Sequence, residues 1–258
     1  MSHAYDDEWR EEARRHQMLE VGFDQASRRC LVATGVGPGW TCLEVGAGTG
    51  SVATWLCDRV GKDGRVVATD LQTAFLEQID RPNLEIRCHD IVHDEIEQAH
   101  YDLVHARQVL EYLSARDDGL RHMAGALKPG GWLVVESVDF CSCVPLAGEG
   151  TDLFARSIRV GLEFVAGLGF DPYYGRSIGE AMRQLGLQDV QLEGKCHEIG
   201  GQRPLTDAWP LALHRFRETF VREGWFSEEE IDALPRLMRQ PDFCAIGPTL
   251  FSVRGRYV

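Results

Sequence analysis

A glycine-rich turn between a predicted strand and a predicted helix carries the most specific chemistry in this sequence. Glu44 lies near the end of an apolar strand, and Gly46, Gly48 and Gly50 follow at alternate positions before a helical pattern begins at Ser51. Glycine tolerates positive φ and lets the backbone approach a ligand closely, and the first turn of a helix presents free N–H groups to an anionic group. A strand, a glycine turn and a helix in this order are typical of a nucleotide site.

The spacing of the glycines separates the nucleotide-binding families. A dinucleotide fold uses the pattern GxGxxG, which would require glycine at position 51, where this chain has Ser51. A P-loop ends in Gly-Lys-Ser or Gly-Lys-Thr, and the chain contains neither sequence. The GxGxG turn therefore disfavours both a dinucleotide oxidoreductase and a P-loop protein.

Short apolar strands that alternate with helix-length segments must position this turn. The alternation is the βαβ rhythm of a parallel sheet, and turn residues such as Pro38-Gly39 and Asp63-Gly64 precede the strands. Two later segments alternate apolar and polar residues, as edge or antiparallel strands do, and a capping box at Ser227 opens a helix between them. We predict strands at 41–45, 65–70, 84–88, 101–106, 131–137, 189–199 and 248–257.

The glycine turn and four later segments resemble the class I S-adenosylmethionine-dependent methyltransferases, in particular a bacterial group that acts on small molecules. The first motif of that family is an acidic residue followed by GxGxG. The resemblance covers about residues 10–258 and implies an α/β fold with a three-layer, Rossmann-like seven-stranded sheet, an antiparallel strand 7 and helical cap insertions. The later segments, in the expected order and at the expected intervals, are 66–70, 89–91, 101–113 and 127–133.

This resemblance implies the cofactor, S-adenosylmethionine, with S-adenosylhomocysteine as the product, and the residues that bind it. In the family, the carboxylate at the position of Asp70 holds the two ribose hydroxyls. The Asp at the position of Asp90 accepts from the adenine amino group, and the next residue packs on the ring. Glu44 contacts the methionyl amino group directly or through water. Asp70 could instead end its strand in solvent, and Asp90 could be a turn residue. The implied cofactor-binding residues are Glu44, Gly46, Ala47, Gly48, Gly50, Asp70, Leu71, Gln72, Asp90, Ile91, Arg107 and Gln108.

The implied reaction is methyl transfer to O, N or C of a small metabolite, and its acid–base chemistry is open. A sulfonium methyl is already activated, so the protein mainly aligns the acceptor and excludes water. A phenol, an alcohol or a carbon acid would benefit from a general base, whereas an amine could react without one. The candidates are His105, in the fourth strand, and His214, in the late cap, and either could simply be packed. Metal-dependent catechol methyltransferases carry acidic ligands where this chain has Arg107 and Gln108, so we expect no metal.

Aromatic residues mark the expected acceptor site. Loops at the carboxyl ends of the strands hold the ligands in open α/β sheets, so we expect the acceptor among the N-terminal helix, the segment after strand five and the late cap. Aromatic side chains there can line an apolar pocket and stabilise a sulfonium, or they can be the buried face of a helix. The substrate-binding candidates are Phe140, Tyr173, Tyr174 and Trp209.

Composition and charge argue against other classes of function. The chain has 258 residues and a formal net charge of −13, and Lys and Arg form no run longer than a pair, so we expect no nucleic acid partner. No apolar stretch is long enough to cross a membrane, and the N-terminus lacks the pattern of a signal peptide, which predicts a cytoplasmic protein without a membrane partner. The 8 cysteines are scattered through apolar segments, which favours reduced core thiols.

The predicted organisation is an N-terminal helical lid over 1–40 and a methyltransferase domain over 41–258, with cap insertions at about 141–180 and 203–246. The predicted partner is a small-molecule acceptor, and the protein could be a monomer or a homodimer. Two alternatives stay open. One is a protein that keeps S-adenosylmethionine bound while it catalyses a cyclisation or rearrangement, because fold and cofactor motif do not determine the reaction. The other is a methyltransferase that acts on a protein.

Overall fold

A computed structural model describes residues 2–258 of the chain, with the side chains of 13, 14 and 16–258. The chain divides into two compact units, which we call the helical unit and the sheet unit. The domain bounds given above stay a prediction. The helical unit contains 2–23, Phe140–Leu168 and Cys196–Thr249, and the sheet unit contains Asp24–Asp139, Gly169–Lys195 and Leu250–Val258.

The helices and strands follow the alternation that the sequence predicts. No helix within residues 2–258 is both long enough and apolar enough to cross a lipid bilayer. In chain order the elements are α1 (Ser2–Val32), β1 (Thr41–Val45), α2 (Ser51–Val60), β2 (Arg65–Asp70), β3 (Leu84–Cys88), β4 (Tyr101–Arg107), α3 (Arg116–Gly125), β5 (Leu127–Asp139), β6 (Val144–Ala147), α4 (Thr151–Gly167), α5 (Ile178–Gln184), β7 (Gln188–Lys195), β8 (Glu198–Ile199), α6 (Ala208–His214), α7 (Arg217–Arg222), α8 (Glu228–Met238), β9 (Cys244–Ile246) and β10 (Thr249–Arg256).

A seven-stranded sheet forms the centre of the sheet unit, in the order β3-β2-β1-β4-β5-β10-β7. The pairs β1–β2, β2–β3, β1–β4 and β4–β5 are parallel, whereas β10 runs antiparallel to β7. Successive residues of the central strands enter two separate hydrophobic clusters, since neighbouring side chains of a strand point to opposite faces. One cluster contains residues of α1 and α2, and the other contains residues of α3 and α5. The predicted fold class, a three-layer Rossmann-like sheet, is confirmed.

The helical unit consists of helices and a small antiparallel sheet in the order β6-β9-β8. Its helix α8 begins as predicted. The Ser227 hydroxyl accepts from the N–H of Glu230 at 3.1 Å, and the Glu230 carboxylate accepts from the N–H of Ser227 at 2.9 Å. This reciprocal pair satisfies two N–H groups that the first helical turn would leave unpaired. An aromatic cluster connects the helices of this unit: Phe164, Phe216, Phe220, Trp225 and Phe226.

The predicted strands agree with the structure except at one place. The first three have the predicted bounds, β4 is one residue longer, and β5 extends beyond 131–137 at both ends. The single strand predicted at 189–199 is wrong, because it consists of two strands. β7 pairs with β10 in the large sheet, and β8 pairs with β9 in the small one. The apolar–polar alternation continues past the break, so the pattern alone did not show that the hydrogen-bond partners change.

Candidate functional site

The turn after β1 requires glycine for both its conformation and its contacts. Gly46, Gly48 and Gly50 have φ angles of 66°, 57° and 83°, which other residues rarely adopt. A Cβ on Gly46 would lie 2.3 Å from Cγ2 of Val109, just after β4, and a Cβ on Gly50 would lie 2.3 Å from Cδ1 of Ile79. The backbone therefore runs closely between neighbouring segments at the carboxyl end of the sheet.

The N–H groups of this turn are largely used within the protein. Ala47 donates to the carbonyl of Thr69 at 2.9 Å, Gly50 donates to the carbonyl of Ala47 at 2.8 Å, and Gly48 donates to Oδ2 of Asp70 at 2.8 Å. These bonds fix the turn against the end of β2. The glycines thus allow the backbone to pass close to neighbouring segments, and these three N–H groups are not left for a ligand.

Asp70 ends β2 as a carboxylate fixed by two backbone donors. Besides the bond from Gly48, its Oδ1 accepts from the N–H of Gln72 at 3.0 Å. Each carboxylate oxygen has a second lone pair, so both can accept further hydrogen bonds. The next residue, Leu71, is 63% exposed although its side chain is large and apolar. A fixed carboxylate therefore lies next to an apolar side chain that the protein does not cover.

Asp90 and Ile91 follow β3 and differ in accessibility. Asp90 Oδ1 accepts from the N–H of Val92 at 2.8 Å, and Oδ2 lies 3.0 Å from Nδ1 of His93. The bond from His93 and then that from Val92 hold the pKa of Asp90 below its usual value, so the carboxylate is ionised at neutral pH. Ile91 is only 4% exposed and packs in a hydrophobic cluster. The Asp90 side chain is 31% exposed, so a part of it stays accessible for a polar contact.

Arg107 connects the end of β4 to α1. Its Nη1 donates to Oδ1 of Asp24 and to Oγ of Ser27, both at 3.0 Å, and the same Asp24 oxygen accepts from Oγ of Ser51 at 3.1 Å. Arg107 is therefore a positioned side chain rather than a free one. Sequence reasoning missed Asp24 and Ser27, because nothing in a charged helix indicates which residues face the sheet edge.

Gln108, directly after β4, has an unusual backbone conformation. Its φ is 56°, and among the other described non-glycine residues only Ala99 and Asp189 also have a positive φ. Its N–H donates to the carbonyl of Glu136 at 2.8 Å, which keeps the turn against β5. Strained backbone of this kind is concentrated at functional sites.

A row of buried polar side chains crosses the sheet from β1 to β10. Oε2 of Glu44 lies 2.6 Å from Nδ1 of His105, and Nε2 of His105 lies 3.2 Å from Oε2 of Glu136, whose other oxygen accepts from Oγ of Ser252. Burial opposes a charged imidazole, but the charges and hydrogen bonds of Glu44 and Glu136 outweigh it and raise the pKa of His105 to about 9. Likewise burial opposes the Glu136 carboxylate, but His105 outweighs it and lowers its pKa.

The two histidines considered as bases differ in their surroundings. His105 is fully buried, and a carboxylate oxygen lies within hydrogen-bond distance of each of its ring nitrogens. His214 is the exposed last residue of α6 in the helical unit. The assignment of a base to either residue stays a prediction.

Glu111 is a buried acid that sequence reasoning missed. It lies four residues after the end of β4, and neither of its carboxylate oxygens has a hydrogen-bond partner among the described residues. Burial raises the pKa of Glu111 to about 7. The hydroxyl of Tyr174 is also buried and has no hydrogen-bond partner among the described residues. The available signal was a single Glu within the apolar run Val109–Leu113.

The four substrate candidates are divided between the two units. In the helical unit, the rings of Phe140 and Trp209 lie 5.6 Å apart, and the indole N–H of Trp209 donates to Oγ of Ser157 at 2.9 Å. In the sheet unit, Tyr173 is 44% exposed, whereas Tyr174 is buried. A surface cavity of about 470 Å³ in the helical unit contacts none of the four and is lined by Arg156, Arg159, Val160, Glu163, Phe164 and Trp225.

Comparison with known proteins finds similarity over part of the chain. Residues 43–133 match the family model described as a methyltransferase domain. The chain is 33% identical over 112 residues to the ubiquinone/menaquinone biosynthesis C-methyltransferase UbiE of Laribacter hongkongensis, which covers 41% of this chain and 46% of that protein. The chain thus spans about half the length of this curated relative.

Solved structures share the fold over most of the chain. Phosphoethanolamine N-methyltransferase 2 of Haemonchus contortus, solved with S-adenosyl-L-methionine, superposes with a TM-score of 0.56 at 19% identity over 92% of this chain and 53% of that one. The [4+2]-cyclase SpnF superposes with a TM-score of 0.57 at 17% identity over 91% of this chain and 80% of that one. The predicted resemblance is confirmed: residues 43–133 match a methyltransferase domain, and the fold is shared with a methyltransferase solved with S-adenosyl-L-methionine, the predicted cofactor.

Proposed function

We propose that this protein transfers the methyl group of S-adenosylmethionine to a small-molecule acceptor. The carboxylate of Asp70 carries the proposal, because the N–H of Gly48 fixes it across the glycine turn while its remaining lone pairs stay available. A second carboxylate, Asp90, is ionised at the end of the neighbouring strand. The family match over 43–133 contains both residues.

The described residues fit the cofactor at three points. The turn at Gly46 and Gly50 packs closely against Val109 and Ile79, which fixes its backbone at the carboxyl end of the sheet. Asp70 is a fixed acceptor for two hydroxyls, and the exposed Leu71 offers an apolar surface for the adenosine. These features together favour a nucleoside that carries a ribose diol.

The resemblance to the S-adenosylmethionine-dependent methyltransferases supplies the proposed roles of the binding residues. S-adenosylmethionine, when bound, supplies a methyl group that its sulfonium activates. Asp70 accepts hydrogen bonds from the ribose hydroxyls, and Asp90 accepts one from the adenine amino group. Glu44 receives the ammonium of the methionyl part, and the glycine turn brings the backbone against it. Because the methyl is already activated, the remaining task of the chain is to orient the acceptor and to exclude water.

The proposal is tested by incubating the protein with methyl-labelled S-adenosylmethionine and a panel of possible acceptors. The panel contains phenols, quinol precursors, activated methylene compounds and amines. The UbiE relative is named as a C-methyltransferase, so carbon acceptors belong in the panel. We expect label in one small molecule, in equal amount to S-adenosylhomocysteine, and much less of it with an Asp70→Ala variant at a cofactor concentration that does not saturate the site. Label in protein would favour a protein methyltransferase. A product formed while the label stays on the cofactor would favour a cyclase or rearrangement catalyst, to which the fold shared with SpnF lends support.

A further inference from the structure

Both ring nitrogens of His105 face carboxylate oxygens. Nδ1 lies 2.6 Å from Oε2 of Glu44, and Nε2 lies 3.2 Å from Oε2 of Glu136. A neutral imidazole has only one N–H and would point a lone pair at one of these oxygens. Two hydrogen bonds from the ring to ionised carboxylates therefore require an imidazolium, which is consistent with the raised pKa of His105.

The two carboxylates that share this imidazolium are not equally satisfied. Glu136 also accepts from the hydroxyl of Ser252, and the positive charge of Arg107 helps to lower its pKa. No described donor hydrogen-bonds to Oε1 of Glu44, and Glu44 keeps 3% of its surface exposed, whereas His105 has none. Glu44 precedes the glycine turn by two residues, so the incompletely paired carboxylate lies at the edge where the cofactor is proposed to bind.

We propose that His105 is a positioning residue, an imidazolium that holds Oε2 of Glu44 so that Oε1 receives the ammonium group of the methionyl part of the cofactor. The inference rests on the proposed function, because it needs a ligand with a methionyl part. The ammonium would supply the positive charge that a single imidazolium cannot give to two buried carboxylates. A buried charge is stable only when it is paired and hydrogen-bonded, so the pair as it stands favours a cationic ligand.

No other described group near the buried polar row supplies a positive charge to Glu44. On α1, burial raises the pKa of the Cys30 thiol to about 12, so it is uncharged at neutral pH. On β4, Arg107 is directed to Asp24 and Ser27. On β10, Arg254 pairs with Glu193 of β7. His105 is thus the cation that contacts Glu44 among the described residues.

Two substitutions of His105 separate its two hydrogen bonds. The amide nitrogen of Asn occupies about the position of Nδ1, and that of Gln about the position of Nε2. His105→Asn therefore keeps a donor towards Glu44, and His105→Gln keeps one towards Glu136. Both remove the charge, so they are matched controls for each other. Binding is measured by calorimetry with S-adenosylhomocysteine and with 5′-methylthioadenosine, which has the nucleoside but no amino acid part.

We expect His105→Gln to weaken S-adenosylhomocysteine about 10-fold or more, as the loss of a charge-assisted contact would, and to leave 5′-methylthioadenosine within about 2-fold. His105→Asn should weaken S-adenosylhomocysteine less than His105→Gln. Equal losses for both ligands, or unchanged S-adenosylhomocysteine binding in a folded His105→Gln protein, would overturn the inference. If the unmodified protein binds neither compound, the proposed function itself is wrong.

A measurement on the unmodified protein covers the case in which the variants do not fold. With ¹⁵N-labelled histidine at pH 7, His105 should show two protected N–H signals, as an imidazolium does. The Nδ1 signal should shift when S-adenosylhomocysteine binds and stay in place with 5′-methylthioadenosine. A single N–H signal, or the same shift with both compounds, would contradict the assignment.

Discussion

The buried carboxylates near the carboxyl end of the large sheet have two opposite electrostatic environments. Glu44 and Glu136 share the imidazolium of His105, whereas Glu111 has no hydrogen-bond partner among the described residues. The pKa of Glu136 is accordingly lowered, and that of Glu111 is raised to about 7. The difference shows that burial alone does not set the charge of an acid, because a partner at hydrogen-bond distance reverses the sign of the shift.

The largest effect is expected from removing the shared cation. His105→Leu leaves Glu44 and Glu136 buried without a donor between them, so we expect the free energy of unfolding to fall by about 3–5 kcal/mol. Urea unfolding at pH 7 measures this. The control is Lys62→Leu, which breaks an exposed ion pair with Asp63 and should cost less than about 1 kcal/mol. Equal losses in the two variants would show that the buried row is not an ionic network.

The unpaired acid should respond in the opposite direction. Burial raises the pKa of Glu111 from 4.5 to about 7, so the folded state prefers the protonated form. The free energy of unfolding therefore falls as pH rises from about 4.5 to 7 and stays low above that range. Glu111→Gln removes this penalty, so we expect it to stabilise the protein by about 3 kcal/mol at pH 8 and hardly at all at pH 4.

The matched control for Glu111→Gln is Glu95→Gln, because Glu95 is exposed. It should change stability by less than about 0.5 kcal/mol at either pH. If Glu111→Gln destabilises the protein at pH 8, the carboxylate has a partner and the comparison with Glu44 and Glu136 fails.

The half-buried carboxylate that ends β2 should affect binding more than folding. Asp70→Ala removes a charged acceptor from two ribose hydroxyls, so we expect S-adenosylhomocysteine binding to weaken by about 2 kcal/mol or more while the fold survives. Calorimetry of the variant, with circular dichroism as the check on folding, measures this. An unchanged dissociation constant would show that other groups hold the ribose.

The smallest effect is expected at the far end of the buried row. Ser252→Ala removes the hydroxyl that donates to Glu136, and a single hydrogen bond to an ionised carboxylate contributes about 1.5 kcal/mol. The variant should lose that amount in urea unfolding at pH 7. A loss as large as that of His105→Leu would show that Glu136 depends mainly on Ser252.

The sequence predicts the local features of this molecule well. The strands at 41–45, 65–70 and 84–88 have the predicted bounds, because apolar periodicity and turn residues mark both ends. The glycine turn was predictable because its φ angles exclude most other residues. The capping box at Ser227 was predictable because its two hydrogen bonds join residues only three positions apart.

The non-local features were beyond the sequence. His105 contacts Glu44 across 61 residues, and Ser252 contacts Glu136 across 116, so both pairs depend on the register of the sheet. A lone histidine in a strand could therefore be either a base or a packed residue. Glu111 is visible as a Glu in an apolar run, but the lack of a partner appears only in three dimensions.

The measurement that tests the central claim most directly is calorimetry of the unmodified protein with S-adenosylhomocysteine and with NAD. The glycine turn is GxGxG, with Ser51 where a dinucleotide fold needs glycine, and Asp70 is anchored to that turn. We therefore predict that S-adenosylhomocysteine binds at one site per chain and that NAD gives no measurable heat. Tighter binding of NAD than of S-adenosylhomocysteine would contradict the assignment of the site.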